Sequence, residues 1–141
     1  MGGEFMNSNN TITATTNKKS ILIAEDNASN YKLLEAILSK SYNLLHAWEG
    51  KEAVELFAKH RPQMVLMDIS MPGMDGYKST REIRKLSDTV PIIGLTARAF
   101  PDDEQKGYDC GMTEYMTKPI NISNLRMRLE QIFNSNGQDN I

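Results

Sequence analysis

The sequence predicts a doubly wound α/β domain, in which a five-stranded parallel sheet carries helices on both faces. Short apolar runs with β-branched residues alternate along the chain with longer segments whose apolar residues recur at helical spacing. Five strands alternating with five helices are typical of a parallel sheet, and right-handed crossovers restrict its topology. The chain has 141 residues, of which 40% are hydrophobic and 24% charged, so one domain can bury its own core.

The first half of the pattern predicts three strands and two helices. The strands are expected over residues 20–24, 42–47 and 64–68. Asn27 offers a side chain that can cap the first helix. In that first helix the apolar residues at helical spacing are Tyr31, Leu34, Ile37 and Leu38. The second helix is predicted over 51–59, and the apolar residues on its one face are Ala53, Val54 and Phe57. His46 and Trp48 are expected to be packing or surface residues.

The second half begins with a loop over residues 71–76, marked by its Pro and Gly content. A polar helix over 77–86 follows, and we expect it to be exposed. The remaining elements are a strand over 90–95, a helix over 102–110, a strand over 114–116 and an amphipathic helix over 125–133. Gly111 is the predicted stop of the helix before it. The last helix is expected to turn four residues inward: Leu125, Leu129, Ile132 and Phe133.

The domain itself is expected to span residues 18–134. Residues 1–5 look like a cloning remnant, and residues 1–17 together are predicted to form a disordered leader. Residues 135–141 are predicted to form a flexible tail. Both ends are polar and bury too little apolar surface to offset the entropy of ordering.

Composition excludes several classes of function for this domain. The net charge is −2 and the basic residues form no stripe, so direct binding to nucleic acid is not expected. No apolar run approaches the roughly 20 residues that span a bilayer, so we expect no membrane contact. The single cysteine, Cys110, cannot form an internal disulfide, which favours a reducing, cytoplasmic compartment.

Chemically active side chains follow the predicted strands. Glu25 and Asp26 follow the first strand, Asp68 ends the third, Thr96 follows the fourth, and Lys118 follows the fifth. Ligands of such sheets bind beyond the carboxyl ends of the strands, where these groups would meet. Three clustered carboxylates repel one another, and oxygen ligands with room for water and phosphate favour Mg²⁺. A carboxylate beside such a cation can attack a phosphoryl group, with the ammonium and the hydroxyl stabilising its charge.

Four segments that carry these residues occur in a set order. They are Ile-Ala-Glu-Asp-Asn at 23–27, Met-Asp-Ile-Ser-Met-Pro-Gly-Met-Asp-Gly at 67–76, Pro-Ile-Ile-Gly-Leu-Thr-Ala at 91–97, and the stretch from 111 to Lys-Pro at 118–119. Through them, residues 19–133 resemble the receiver domain of response regulators in two-component systems, most of all the receivers of hybrid sensor histidine kinases. The resemblance implies a flavodoxin-like fold with strand order 2-1-3-4-5.

The resemblance also implies roles for the acidic residues. Asp68 would accept the phosphoryl group and help to bind Mg²⁺. Glu25 and Asp26 would complete the acidic pair around the metal, with Asp26 the direct ligand and Glu25 acting partly through water. Ser70 would offer its backbone carbonyl to the same ion. Glu25 stands where most family members have Asp, which leaves its direct contact with the metal open.

A second set of residues would transmit the phosphorylation signal. Thr96 matches the switch hydroxyl, Lys118 the phosphate-binding lysine and Tyr115 the aromatic switch residue, although a strand tyrosine is also often half-buried core. The Lys118–Pro119 bond is expected to be cis. Phosphorylation would switch the face formed by the fourth helix, fifth strand and fifth helix.

The expected partner is a histidine kinase or a histidine phosphotransfer domain, which supplies the phosphoryl group. The domain would not be an enzyme beyond its own phosphorylation and slow dephosphorylation, and a phosphorylation-dependent dimer stays open. The chain could be a stand-alone regulator beginning at Met6 or the receiver of a hybrid kinase. Two alternatives are a degenerate receiver that only docks, and a phosphatase with an Asp nucleophile. Such phosphatases usually carry a second Asp where this chain has Ser70.

Overall fold

The computed structural model describes residues 18–97 and 100–138, and within them five parallel strands form one sheet flanked by five helices. The strands are β1 (Lys19–Ala24), β2 (Tyr42–Ala47), β3 (Met64–Asp68), β4 (Ile92–Thr96) and β5 (Glu114–Thr117). The helices are α1 (Ala28–Leu38), α2 (Gly50–His60), α3 (Gly76–Arg84), α4 (Pro101–Cys110) and α5 (Ile122–Gln138). The predicted leader, residues 1–17, lies outside the described residues. The predicted end of the domain, at 134, falls inside α5.

The strand order is β2-β1-β3-β4-β5, as predicted, and every neighbouring pair is parallel. The register aligns the carboxyl ends of the strands. Ala24 pairs with Met67, Asp68 pairs with Leu95, and β4 ends opposite Thr117. The residues that follow these strands therefore meet at one edge of the sheet.

Local signals in the sequence set where the helices begin and end. The Asn27 side chain accepts a hydrogen bond from the backbone N–H of Asn30 at 2.9 Å and caps α1, as predicted. The side chain of Asp75 caps α3 through the N–H of Lys78. Gly111 ends α4 with a φ of 110°, a left-handed conformation that favours glycine.

Successive strand residues point to opposite faces of the sheet, so the buried apolar residues form two clusters. One cluster packs β-strand residues against α2, α3 and α4, and includes Phe57 and Ile83. The other packs them against α1 and α5. Leu125 and Leu129 are fully buried in that second cluster, while Ile132 and Phe133 pack against its rim.

The expectation that the third helix is exposed was wrong. Tyr77, Ser79, Thr80 and Ile83 are buried in α3, and the Ser79 hydroxyl donates to the backbone carbonyl of Gly50 at the start of α2, at 2.9 Å. Serine and threonine occupy positions on the inward face, which hides the apolar periodicity in the sequence. Within residues 18–97 and 100–138, no helix has the length and apolar character to cross a membrane.

Candidate functional site

Three carboxylates converge beyond the carboxyl ends of β1 and β3. Glu25, Asp26 and Asp68 each offer an oxygen within 4.8 Å of the others. Glu25 and Asp68 are buried, whereas Asp26 is exposed to solvent. An all-oxygen donor set with one open side fits a hard divalent cation that keeps part of its water shell. This cluster could hold a metal ion, and its donors suit Mg²⁺.

The ammonium of Lys118 bridges two of the carboxylates. Its Nζ donates to Glu25 Oε1 at 3.0 Å and to Asp68 Oδ2 at 2.9 Å. Burial raises the pKa of Glu25, and the neighbouring Asp68 raises it further, while the bond from Lys118 opposes both. Burial acts to lower the pKa of Lys118, but its bonds to Asp68 and Glu25 hold that pKa above its ordinary value. The lysine therefore stays charged at neutral pH.

Glu25 is fixed at both its main chain and its side chain. Its N–H donates to the Ala47 carbonyl at 2.9 Å, which extends the pairing of β1 with β2 by one bond. Its own carbonyl lies 2.9 Å from His46 Nε2. Its Oε2 accepts from the N–H of Asn27 at 3.1 Å, and its Oε1 accepts from Lys118. The side chain is thereby held inside the site.

Asp68 is oriented by the loop that follows it. Its Oδ1 accepts from the backbone N–H of Ser70 at 3.0 Å, while its Oδ2 contacts Lys118. The loop returns so closely that a Cβ on Gly76 would lie 2.4 Å from the Asp68 carbonyl oxygen. Only glycine fits that approach, so the loop from 69 to 75 is held against the strand end.

Thr96 and the lysine segment lie on neighbouring strands. Thr96 is buried at the end of β4, and its carbonyl accepts from the N–H of Lys118 at 2.6 Å. The Lys118–Pro119 bond is cis, as the resemblance implied. These contacts place the ammonium and the Thr96 backbone at the same edge of the sheet as Asp68.

Tyr115 is half-buried between β4 and α4. A Cβ on Gly107 would lie 2.7 Å from Tyr115 Cε2, so this glycine makes room for the ring. The Tyr115 hydroxyl lies 3.0 Å from that of Tyr77, and the Tyr77 hydroxyl donates to the Asp103 carbonyl at 3.2 Å. Because Tyr77 has one proton to give, Tyr115 must donate to Tyr77. Burial, followed by the bond from Tyr115, raises the pKa of Tyr77.

Two participants were missed from the sequence, His46 and Tyr77. His46 is half-buried and packed, as expected, but its contact with the Glu25 carbonyl was not foreseen. The sequence gives one signal for this contact, which is that His46 lies one residue before the end of a predicted strand. That signal points to Glu25 only once the pairing of the first two strands is known. Tyr77 follows the Asp-Gly pair of the 67–76 segment, and it was assigned to an exposed helix.

An apolar groove of about 380 Å³ opens beside the site. It lies between α1 and the segment 119–122, and Glu25 and Lys118 form part of its wall. Leu33 also lines it and is 57% exposed. The groove therefore joins an exposed apolar surface to the acidic cluster.

Comparisons with known proteins agree with this geometry. The family model described as the response regulator receiver domain matches residues 21–130. The sensor protein EvgS of Escherichia coli K12 is 35% identical over 116 residues, which cover 82% of this chain and 10% of EvgS. The chain spans about half, or less, of the length of the curated relatives it matches first.

Two solved structures are similar to the described fold. One is the receiver domain of the sensor histidine kinase PA1611 from Pseudomonas aeruginosa PAO1, with a TM-score of 0.75 and 36% sequence identity. The match covers 81% of this chain and 96% of that chain, and the PA1611 structure has a magnesium ion coordinated in its active site cleft. The receiver domain of Ssk1, in a complex with the histidine phosphotransfer protein Ypd1 of Saccharomyces cerevisiae, has a TM-score of 0.74 and 28% identity, and the match covers 79% of this chain and 86% of that chain.

Proposed function

The chain belongs to the response regulator receiver domain family, and from that premise we propose that it accepts a phosphoryl group on Asp68 in a His-to-Asp phosphorelay. One observation carries the assignment of the acceptor. Asp68 is a buried carboxylate at a strand end, 2.9 Å from the Lys118 ammonium and grouped with two further carboxylates. A buried acid placed between a cation and a cation site is suited to attack phosphorus rather than to cap a helix.

The metal ligands in this proposal are Glu25, Asp26 and Asp68, together with the backbone carbonyl of Ser70. When bound, Mg²⁺ would neutralise the clustered carboxylates and the oxygens of the incoming phosphoryl group. Asp26 is the exposed member of the cluster and would be the direct ligand. Glu25 has both carboxylate oxygens engaged, by Lys118 and by the N–H of Asn27, which supports a role partly through water.

In the transfer step, a carboxylate oxygen of Asp68 forms a bond to phosphorus as the phosphorus–nitrogen bond of a phosphohistidine breaks. The electron pair stays on the departing imidazole nitrogen. Lys118 already contacts Asp68 and stabilises the phosphoryl charge. The N–H of Ser70, bonded to Asp68 Oδ1, keeps the carboxylate oriented during the attack. Water later hydrolyses the acyl phosphate, which releases inorganic phosphate and restores the Asp68 carboxylate.

The acyl phosphate would then shift a pre-existing equilibrium on the face of α4, β5 and α5. Thr96 supplies the hydroxyl that moves toward the phosphoryl oxygens, and Tyr115 fills the space that it leaves. The contact of Tyr115 with Tyr77 and the bond from Tyr77 to the Asp103 carbonyl join this ring to α3 and α4. A change at Tyr115 therefore reaches α4 directly.

The phosphodonor would be a histidine kinase or a histidine phosphotransfer domain. We place its docking surface on α1 and the groove beside Lys118, because the exposed Leu33 lies next to the site that must receive the phosphoryl group. The Ssk1 receiver complex with Ypd1 supports a partner of this class, and the PA1611 receiver domain supports the receiver of a sensor histidine kinase. A reducing, cytoplasmic location is consistent with Cys110 as a buried free thiol.

Intact-mass spectrometry after incubation with MgCl₂ and acetyl phosphate tests the proposal. We expect a gain of one phosphoryl group that needs Mg²⁺ and is lost in Asp68→Asn. Asp75→Asn is the matched control, because it removes a nearby carboxylate while keeping a capping residue for α3. Full phosphate uptake by Asp68→Asn would refute the acceptor assignment. No uptake by the wild type, with Mg²⁺ binding confirmed, would favour the docking-only alternative.

A further inference from the structure

We propose that His46 is a positioning residue for the acidic site, a role that rests on the proposed function. Its Nε2 lies 2.9 Å from the carbonyl oxygen of Glu25, which is 21 residues away in sequence. A carbonyl oxygen can only accept, so Nε2 must carry the proton. This oxygen belongs to the peptide bond that joins Glu25 to Asp26. The imidazole therefore holds the peptide that joins two members of the carboxylate cluster.

Two aromatic rings hold the imidazole in place. The Tyr31 ring of α1 stacks on it with centroids 3.6 Å apart and planes 3° from parallel. The Trp48 ring, which follows β2, has its centroid 4.2 Å from that of the imidazole and its plane tilted by 40°, and Trp48 is 49% exposed. Such stacking fixes the ring plane, so the bond to Glu25 forms with little further loss of side-chain entropy.

The bond from His46 to the Glu25 carbonyl lies where it can fix the orientation of the Glu25–Asp26 peptide. β1 ends at Ala24, and one backbone bond beyond it, from the N–H of Glu25 to the Ala47 carbonyl, still joins the chain to β2. The chain then turns toward α1, which begins after Asn27. Beyond the strand, rotation of the Glu25–Asp26 peptide would swing the exposed Asp26 carboxylate away from Asp68. His46 restrains that rotation without touching a metal or a phosphoryl group itself.

Two variants separate hydrogen bonding from packing. His46→Phe keeps a ring that can stack on Tyr31 but removes the donor, whereas His46→Gln keeps an N–H donor without the ring. MgCl₂ titrations of each protein, followed by the amide NMR shifts of Glu25 and Asp26, give the Mg²⁺ dissociation constant. We expect His46→Phe to weaken Mg²⁺ binding about 2- to 10-fold, as the loss of one hydrogen bond implies, and His46→Gln to recover most of it. Urea unfolding of each variant shows whether the fold itself has changed.

The wild-type chain gives an independent check through two-bond ¹H–¹⁵N correlations of its imidazole. They should show a proton on Nε2. A neutral Nδ1–H tautomer would overturn the proposal even if His46→Phe did not fold. Wild-type Mg²⁺ affinity in His46→Phe, or equal losses in both variants, would overturn it as well. Absence of Mg²⁺ binding at Glu25 and Asp26 in the wild type would instead refute the proposed function, and this inference with it.

Discussion

Replacing Lys118 with methionine removes the ammonium that bridges Glu25 and Asp68 while keeping the length of the side chain. The two carboxylates lie 3.0 and 2.9 Å from Nζ, and their side chains are only 1% and 5% exposed. Removal of one partner from a buried ion pair costs about 3–5 kcal/mol. The Lys118 side chain is 23% exposed, so solvent screens part of this interaction. We therefore expect the free energy of unfolding to fall by about 2 kcal/mol at pH 7.

The pH dependence of this loss has a definite sign. Burial raises the pKa of folded Glu25, so its contribution to folding is favourable below the unfolded pKa and is lost as pH rises through the folded pKa. Lys118 opposes that loss, and in its absence the pKa of Glu25 rises further. The raised pKa of Lys118 means that its own contribution is present below its unfolded pKa and disappears as pH rises through the folded one. The stability lost in the variant should therefore be larger at pH 7 than at pH 4, which lies below the raised pKa of folded Glu25.

Urea unfolding in EDTA at pH 7 and at pH 4 measures both effects. Lys85→Met is the matched control, because Lys85 pairs with Glu82 at 2.9 Å but its side chain is 70% exposed. An exposed pair of this kind contributes at most about 0.5 kcal/mol. Equal stability of the two variants at pH 7 would refute the reasoning, as would a loss for Lys118→Met that is the same at both pH values.

Two further predictions concern α3. The Thr80 hydroxyl is fully buried without a hydrogen-bond partner among the described residues. Thr80→Val should therefore raise the free energy of unfolding, measured by urea titration, by about 1 kcal/mol. A loss of stability would show that the hydroxyl does have a hydrogen-bond partner. Tyr77→Phe and Tyr115→Phe should each destabilise the protein, and a double-mutant cycle should give a coupling energy of about 0.5–1 kcal/mol, because one bond joins the two hydroxyls. Additive effects would mean that this bond does not form in solution.

Much of the fold followed from local signals in the sequence. The apolar runs predicted all five strands to within two residues, because buried strands need continuous apolar residues. Asn27 and Gly111 marked a helix start and a helix end through their own backbone chemistry. α3 was different, because its inward face includes Ser79 and Thr80. These residues are buried because α3 packs against α2, and the pattern of residues within α3 does not indicate that contact.

The site, like the fold, has features that the sequence predicted and others that it did not. The acidic residues and Lys118 could be placed at one sheet edge from the sequence, because parallel strands present their carboxyl ends together. The bonds made by His46 and Tyr77 could not be predicted. Each of them joins residues more than 20 positions apart, and depends on the strand order and on the direction of one side chain.

The sequence by itself thus determined which chemical groups this domain has and the edge at which they gather, since strand ends and caps are local properties. Only the tertiary structure decided that Lys118 lies between Glu25 and Asp68, that His46 binds the Glu25–Asp26 peptide and that Tyr77 contacts Tyr115. The physical reason is that hydrogen bonds require distances within a few tenths of an ångström. Those distances are set by how the helices pack on the sheet, over the whole domain at once.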